Sequence, residues 1–465
     1  MTRAAARPVA AWRAWATIAR PRMRVCSLGR PRDEAADRLA ALGRCLVPVL
    51  LLLFAGCEAS VLAAWLPGTL HQWWRAGPLA AGDRPMGDWS VFYDSAKHFS
   101  PNGLYNPGLA VIERPLTLLS MATAYRLYVA LAALAVLATA FLAQRYVRSP
   151  EAKLAVVLGV VALPEMQFAL RGAVLTPFLA LGTLAGFLLL ERHPARAGAC
   201  FAVLMLKPSF APLLVLYLVF RRQWRALAVM AAVTAAMSAA GFAAMGGGYA
   251  LTYARLPFSL GASQGGWLSP TAQTWQHSWP GVLISAGITP RPVLWLELVL
   301  LSLVTISVAW RRTDIDTQAA VTALGMLLVT PYAMSYDWAL LAVGGVLLLR
   351  AGGRARALVP FLLVGGFAAA VLTQAATPYP PPPLVIRDGA PLWSHATYGF
   401  YWSAPFALVA IMALAVAGRR ARRASAGRPL PVRPRVEGVT GLGAIGERDA
   451  RKAAWASLLA ADDVA

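Results

Sequence analysis

Runs of about 20 apolar residues recur along this chain, divided by short loops that hold most of its arginines, and that succession narrows the fold more than any motif does. Inside a hydrocarbon layer the backbone must satisfy its own hydrogen bonds, so a chain built from such runs has to be helical. Candidate spans cover residues 43 to 66, 123 to 143, 153 to 170, 173 to 190, 226 to 246, 293 to 310, 316 to 331, 336 to 350, 356 to 374 and 400 to 417. The expected class is all-α, a polytopic integral membrane protein of about ten spans. With 58% hydrophobic and 14% charged residues, the composition excludes an ordinary soluble globule. The net charge of +22 does not point to nucleic acid, because the basic residues gather in the tails and inter-span loops, where topology and contact with membrane lipids account for them. With the Arg-rich N-terminus inside, Arg145, Arg148 and Lys153, then Arg192 and Arg196, Arg311 and Arg312, Arg350, Arg354 and Arg356, and finally Arg419 to Arg423 all fall inside. This gives a plasma (inner) membrane protein with both termini cytoplasmic. The first run is longer than a signal-peptide core and lacks a small-residue cleavage site, so it is expected to stay as a span. Cys26, Cys45, Cys57 and Cys200 show neither metal-ligand spacing nor a pair in an outer loop.

One segment breaks the alternation. Residues 197 to 220 are apolar over a full spanning length, yet Arg192 and Arg196 precede them and Arg221, Arg222 and Arg225 follow. A single crossing would strand one basic cluster outside. Two half-helices turning at Lys207-Pro208-Ser209 keep both clusters on the cytoplasmic side, because proline removes a backbone donor and breaks the helix. Broken backbone at membrane depth is tolerated only where it is buried in protein or lines a cavity, so the break predicts a cavity. Only four of the 43 basic residues are lysines, and Lys207 is the one inside an apolar run. A charge there costs about 2.5–3.5 kcal/mol by insertion scales, which makes it a functional candidate; the alternative is a lysine snorkelling to the interface.

Three polar islands are expected on the outer face. In the first, from about residue 67 to 122, Asp88 heads Gly87-Asp88-Trp89-Ser90-Val91-Phe92-Tyr93. A carboxylate beside aromatics just outside a hydrophobic segment suits a general base for chemistry on lipid-borne substrates, and it equally suits a helix cap. Phe92, Tyr93, Ala96 and Phe99 at helical spacing predict an interfacial helix whose aromatics belong to a membrane belt. The second island, from about residue 247 to 292, mixes Trp267 and Trp279 with Arg255, Gln264, Gln276, His277 and Ser278, a surface suited to sugars and also ordinary for a membrane interface. The third, Thr330 to Trp338, carries Asp337 in a proline-broken hinge, either as an N-cap or as an acid at membrane depth.

The order Asp88-Trp89-Ser90-Val91-Phe92-Tyr93, Gly103-Leu104-Tyr105-Asn106-Pro107, Leu206-Lys207-Pro208, Phe220-Arg221-Arg222-Gln223-Trp224-Arg225 and Thr330-Pro331-Tyr332 with Tyr336-Asp337 resembles glycosyltransferase family 87 over roughly residues 85 to 345. The resemblance implies the multispanning GT-C fold and a mannosyltransferase-like enzyme taking its sugar from a polyprenyl phosphate carrier on the extracytoplasmic face. Asp88 then matches the family's catalytic base and Lys207 the lysine of its Lys-Pro motif, a donor-phosphate contact. Glu113-Arg114-Pro115 departs from an expected Tyr-Pro-Pro-like stretch, Arg171-Gly172-Ala173 from Gly-Gln-Asn, and Ser209 from Gln.

The chemistry asks for little more. A sugar phosphodiester carries a leaving group that needs no protonation, so one base for the acceptor hydroxyl and cations for the departing phosphate are enough. Glycoside hydrolysis, with its poorer leaving group, calls for a second carboxyl group. Asp88 is the expected base, with inversion; Lys207 with Arg171 or Arg255 is expected on the phosphate; Tyr93, Gln264, His277 and Asp337 are expected around the sugar or the lipid or glycan acceptor. No cofactor and no metal are expected, since Asp88, Asp94, His98 and Glu113 have no recognisable metal spacing. A transporter or lipid flippase would also use broken helices and buried charges, and an oligosaccharide ligase or polymerase would share a lipid-linked donor. By organisation, residues 1–42 form a basic cytoplasmic tail, 43–417 the membrane domain and 418–465 a cytoplasmic tail expected to be mostly disordered, with Pro378 to Pro383 a stiff outer strap.

Overall fold

The computed structural model describes residues 88–99, 105–246, 248–251, 253, 278–285, 292–331, 333–351 and 403–426, with positions 56, 59, 62, 63, 66, 67, 70, 73, 74, 359, 386, 387, 390 and 391. The described chain is helical: α1 (Asp88–His98), α2 (Gly108–Glu113), α3 (Met121–Gln144), α4 (Pro150–Val161), α5 (Pro164–Arg171), α6 (Thr176–Leu189), α7 (Pro194–Ala202), α8 (Ala211–Phe220), α9 (Trp224–Met245), α10 (Trp279–Ser285), α11 (Pro292–Arg312), α12 (Ile315–Val329), α13 (Leu340–Ala351) and α14 (Ser403–Ala426). Among the described residues the one extended pairing is Ile386–Arg387 against Ala390–Pro391.

Helix α3 shows how sequence sets the outer wall. The Ser120 side chain accepts from Thr123 N and starts it, and no proline interrupts the next 24 residues. Tyr125, Tyr128, Ala132, Val136, Ala140 and Ala143 are buried, while Leu127, Leu131, Leu134, Leu137 and Phe141 stand exposed on the other side at spacings of three and four. A helix with an apolar face on each side is built to meet protein on one and lipid on the other. At the centre, α12 is buried at every position from Thr317 to Leu328 and packs against α8, α11, α13 and α14. Its start is fixed by Asp314, whose carboxylate accepts from Asp316 N and Thr317 N.

Three described helices, Met121–Gln144, Trp224–Met245 and Val293–Arg312, have the length and hydropathy to cross a bilayer, fewer than the ten spans expected. Thr176–Leu189, Ile315–Val329 and Ala404–Val416 are apolar but shorter. The expected span at 153 to 170 is two helices, α4 and α5, because Pro164 cannot donate to the preceding turn. The expected span at 356 to 374 lies outside the described residues apart from Val359, and that at 43 to 66 is described only at isolated positions. Helix α14 continues through Arg419 to Arg423, past the expected domain edge at 417.

The segment expected to turn back does so. Pro194–Leu206 and Pro208–Phe220 are bent by 118° about Lys207. Glu191, just before the pair, and Arg221, just after it, meet at 3.5 Å, so both ends of the pair lie at one end of the bundle. The aromatics of the first island differ from expectation. Trp89, Phe92 and Tyr93 are buried in the protein core against Tyr105 and Tyr128 instead of lining a belt.

Candidate functional site

The bend of the re-entrant pair sets the site. Lys207 lies between two short 3-10 turns, Val203–Leu206 and Pro208–Phe210, with φ −121° and ψ 80°, and this break aims its side chain inward. The side chain is 2% exposed. Its Nζ lies 2.5 Å from Asp337 Oδ2, and Asp337 is wholly buried. Asp337 sits in the 3-10 turn Ser335–Ala339, where Oδ2 also accepts from Met334 N at 2.8 Å and Oδ1 from Thr176 Oγ1 at 3.1 Å. The Tyr105, Phe210 and Tyr336 rings stand 5.9, 5.3 and 5.1 Å from the ammonium. Aromatic faces and one carboxylate on the ammonium offset part of the cost of burying it.

The first and third polar islands meet at this point, and the second touches the third. From the first, Asn106 N donates to Leu206 O at 2.9 Å, beside Lys207. The Asn106 side chain accepts from Gly108 N and donates to Ser238 Oγ on α9, each at 2.8 Å. The loop can lie this close to α9 because Gly241 faces it: a Cβ there would sit 2.3 Å from Pro107 C, and one on Gly108 would sit 2.5 Å from Met237 O. In the second island, Ser278 donates to Pro331 O at 3.1 Å in the third, while Trp279 Nε1 donates to Ser302 Oγ and pins the start of α10 to α11. The third island supplies Asp337 itself.

Lys207 and Asp337 are therefore brought together. Asp337, expected beside the sugar or acceptor, has both carboxylate oxygens engaged by protein groups. Asp88 is the first residue of α1, and that helix reaches the cluster through Phe92, whose ring meets Tyr105 edge-on at 4.8 Å. Tyr93, expected to shape the substrate site, donates its hydroxyl to Leu119 O at 2.7 Å and packs beside Trp89. Arg171 ends α5, which packs on the 3-10 turn carrying Asp337. Arg255, Gln264 and His277 lie outside the described residues. Of the acids weighed as metal ligands, Asp94 is exposed on α1 and Glu113 is buried, and no group of three His, Cys, Asp or Glu is placed to hold a metal among the described residues. Sequence reasoning missed Thr176 and the Lys207–Asp337 tie. The only trace of either in the sequence is that each charge lies in a proline-broken apolar segment.

The sequence model of glycosyltransferase family 87 matches residues 104–331, a segment that holds Glu113, Arg171 and Lys207 and stops short of Asp88 and Asp337. No curated protein and no solved structure matches the chain.

Proposed function

From the match of the glycosyltransferase family 87 model to residues 104–331, we propose that the chain is a member of that family and a membrane hexosyltransferase that moves mannose from a polyprenyl-phosphate carrier to a lipid or glycan acceptor on the extracytoplasmic face. The buried Lys207 ammonium at the bend of the re-entrant pair, within the matched segment, is the observation that carries this reading. Acceptor oxygen attacks the anomeric carbon, the bond from that carbon to the phosphate oxygen breaks, and the phosphate leaves with the electron pair. Asp88 takes the acceptor proton, and the anomeric centre inverts. Lys207, with Arg171 or Arg255, offsets the charge growing on the departing phosphate. Asp337 is a positioning residue that holds Lys207, while Tyr93, Gln264 and His277 shape the sugar and acceptor positions. No metal enters the reaction; loss of transfer in a chelator with rescue by a divalent cation would overturn that part.

Membranes containing the wild type or Asp88→Asn, incubated with radiolabelled polyprenyl-phosphate-mannose, test the whole. Label should pass into lipid or glycan with the wild type and not with a normally expressed Asp88→Asn. Equal transfer by both would remove Asp88 from the chemistry, and no transfer by either would remove this donor.

A further inference from the structure

Glu113 ends α2 with its side chain 4% exposed, and among the described residues neither carboxyl oxygen has a hydrogen-bond partner. Its neighbour Arg114 does not neutralise it. That guanidinium donates to Ala96 O at 3.0 Å and to Lys97 O, closing the end of α1, and lies 4.8 Å from the Phe99 ring. A buried polar group left unsatisfied costs about 1–3 kcal/mol, so a ligand group that hydrogen-bonds to it recovers that cost. The carboxyl lines a small, partly open pocket with Phe92, Ser95, Tyr105, Asn106 and Met245. The room in it is on the order of one water molecule, so it is scaled to a single hydroxyl group of a larger molecule. Tyr105 forms its wall on one side and faces the Lys207 ammonium at 5.9 Å, so pocket and ion pair share one ring as a partition. Burial raises the Glu113 pKa from 4.5 to about 8, which keeps the acid form at neutral pH. A neutral carboxyl donates one hydrogen bond and accepts others, the same pattern a hydroxyl offers.

We propose that Glu113 and the pocket around it form a saccharide subsite, receiving one hydroxyl group of the donor sugar or of the acceptor while the phosphate lies toward Lys207. This rests on the transferase reading. It goes beyond the family resemblance, because Glu113 stands at a point where the chain departs from that pattern.

Infrared difference spectra of the full-length protein in nanodiscs, recorded with and without added saccharide, test it directly. Two probes are used, methyl α-mannoside and polyprenyl-phosphate-mannose. The expected result is a carboxyl signal that appears on adding a probe and is missing in Glu113→Gln. A signal with the lipid-linked probe alone assigns the hydroxyl to the donor, and one with the glycoside alone assigns it to the acceptor. Identical spectra for wild type and Glu113→Gln with both probes overturn the subsite. If the wild type still transfers label from the carrier in that case, the transferase reading stands without the subsite. If the carboxyl signal appears in a protein that transfers nothing, the saccharide site stands without the reaction. Glu113→Leu supplies a second readout: KM should rise about ten-fold, the worth of one hydrogen bond, with kcat little changed and thermal stability equal or higher. A lower melting temperature with KM unchanged would make Glu113 a purely structural group and overturn the proposal.

Discussion

Lys207 Nζ lies 2.5 Å from Asp337 Oδ2 across 130 residues of sequence, and both side chains are withdrawn from solvent. Their tie joins the bend of the re-entrant pair to the hinge between α12 and α13. Removing one member of a buried pair strands the other, so Lys207→Met or Asp337→Leu alone should lower stability by about 3–5 kcal/mol. The double variant should recover most of that loss. Thermal denaturation in detergent gives the coupling, and additive losses in the double variant would deny that the two side chains depend on one another.

Gly241 is the contact that lets the Asn106 loop lie on α9. A methyl group there meets backbone at 2.3 Å, which cannot swing aside. Gly241→Ala should cost about 1–3 kcal/mol and lower transfer, since the loop it displaces holds Leu206. Gly345→Ala is the control: nothing lies within 4 Å of its added Cβ, and stability should stay level or rise by up to about 1 kcal/mol. Equal melting temperatures for the two variants would contradict the close approach.

The Glu191–Arg221 contact puts both ends of the bent pair at one end of the bundle. Because that pair is partly exposed, Arg221→Gln should change stability by no more than about 1 kcal/mol. The topology itself is tested by cysteines at Arg192 and Gln223 in a background without the native four. An impermeant maleimide should label both from the same side of sealed vesicles; labelling from opposite sides would mean a single crossing.

Glu113 gives a pH signature. Its pKa is raised by burial from 4.5 to about 8, so its contribution to stability is fully present below about pH 4.5 and is lost as pH rises through about 8. Tyr105 is the other titratable side chain in its pocket; on α1, Asp94, Lys97 and His98 are exposed, Arg114 is turned to the carbonyls of Ala96 and Lys97, and α9 contributes only Met245. Between these pH values the wild type should lose up to about 1.4 kcal/mol per pH unit relative to Glu113→Gln. Parallel melting curves across that window would show that Glu113 is ionised in the folded protein.

The re-entrant turn was legible because charge constrains topology: arginines on both sides of one apolar run leave few arrangements. The resemblance to glycosyltransferase family 87, whose model matches residues 104–331, was legible from motif order. The ion pair was not, since Lys207 and Asp337 each had an adequate local explanation, snorkelling for one and capping for the other, and only the tertiary fold sets them together. Asp337 does accept from Met334 N as a cap would, so the local reading was correct and incomplete. The burial of the α1 aromatics in protein was not legible, because helical spacing marks a buried face without saying whether lipid or protein covers it. The split between α4 and α5 is written in Pro164, which hydropathy alone does not register.

Transfer from radiolabelled polyprenyl-phosphate-mannose by the Lys207→Met, Asp337→Leu double variant is the most direct test of the central claim, because it removes the cation without leaving a stranded charge. With stability recovered, transfer should fall by about 10²–10³-fold, the usual loss when a group stabilising a developing anion is removed. A stable double variant that transfers mannose at the wild-type rate would make the pair a fastener of the fold and contradict the role given to Lys207.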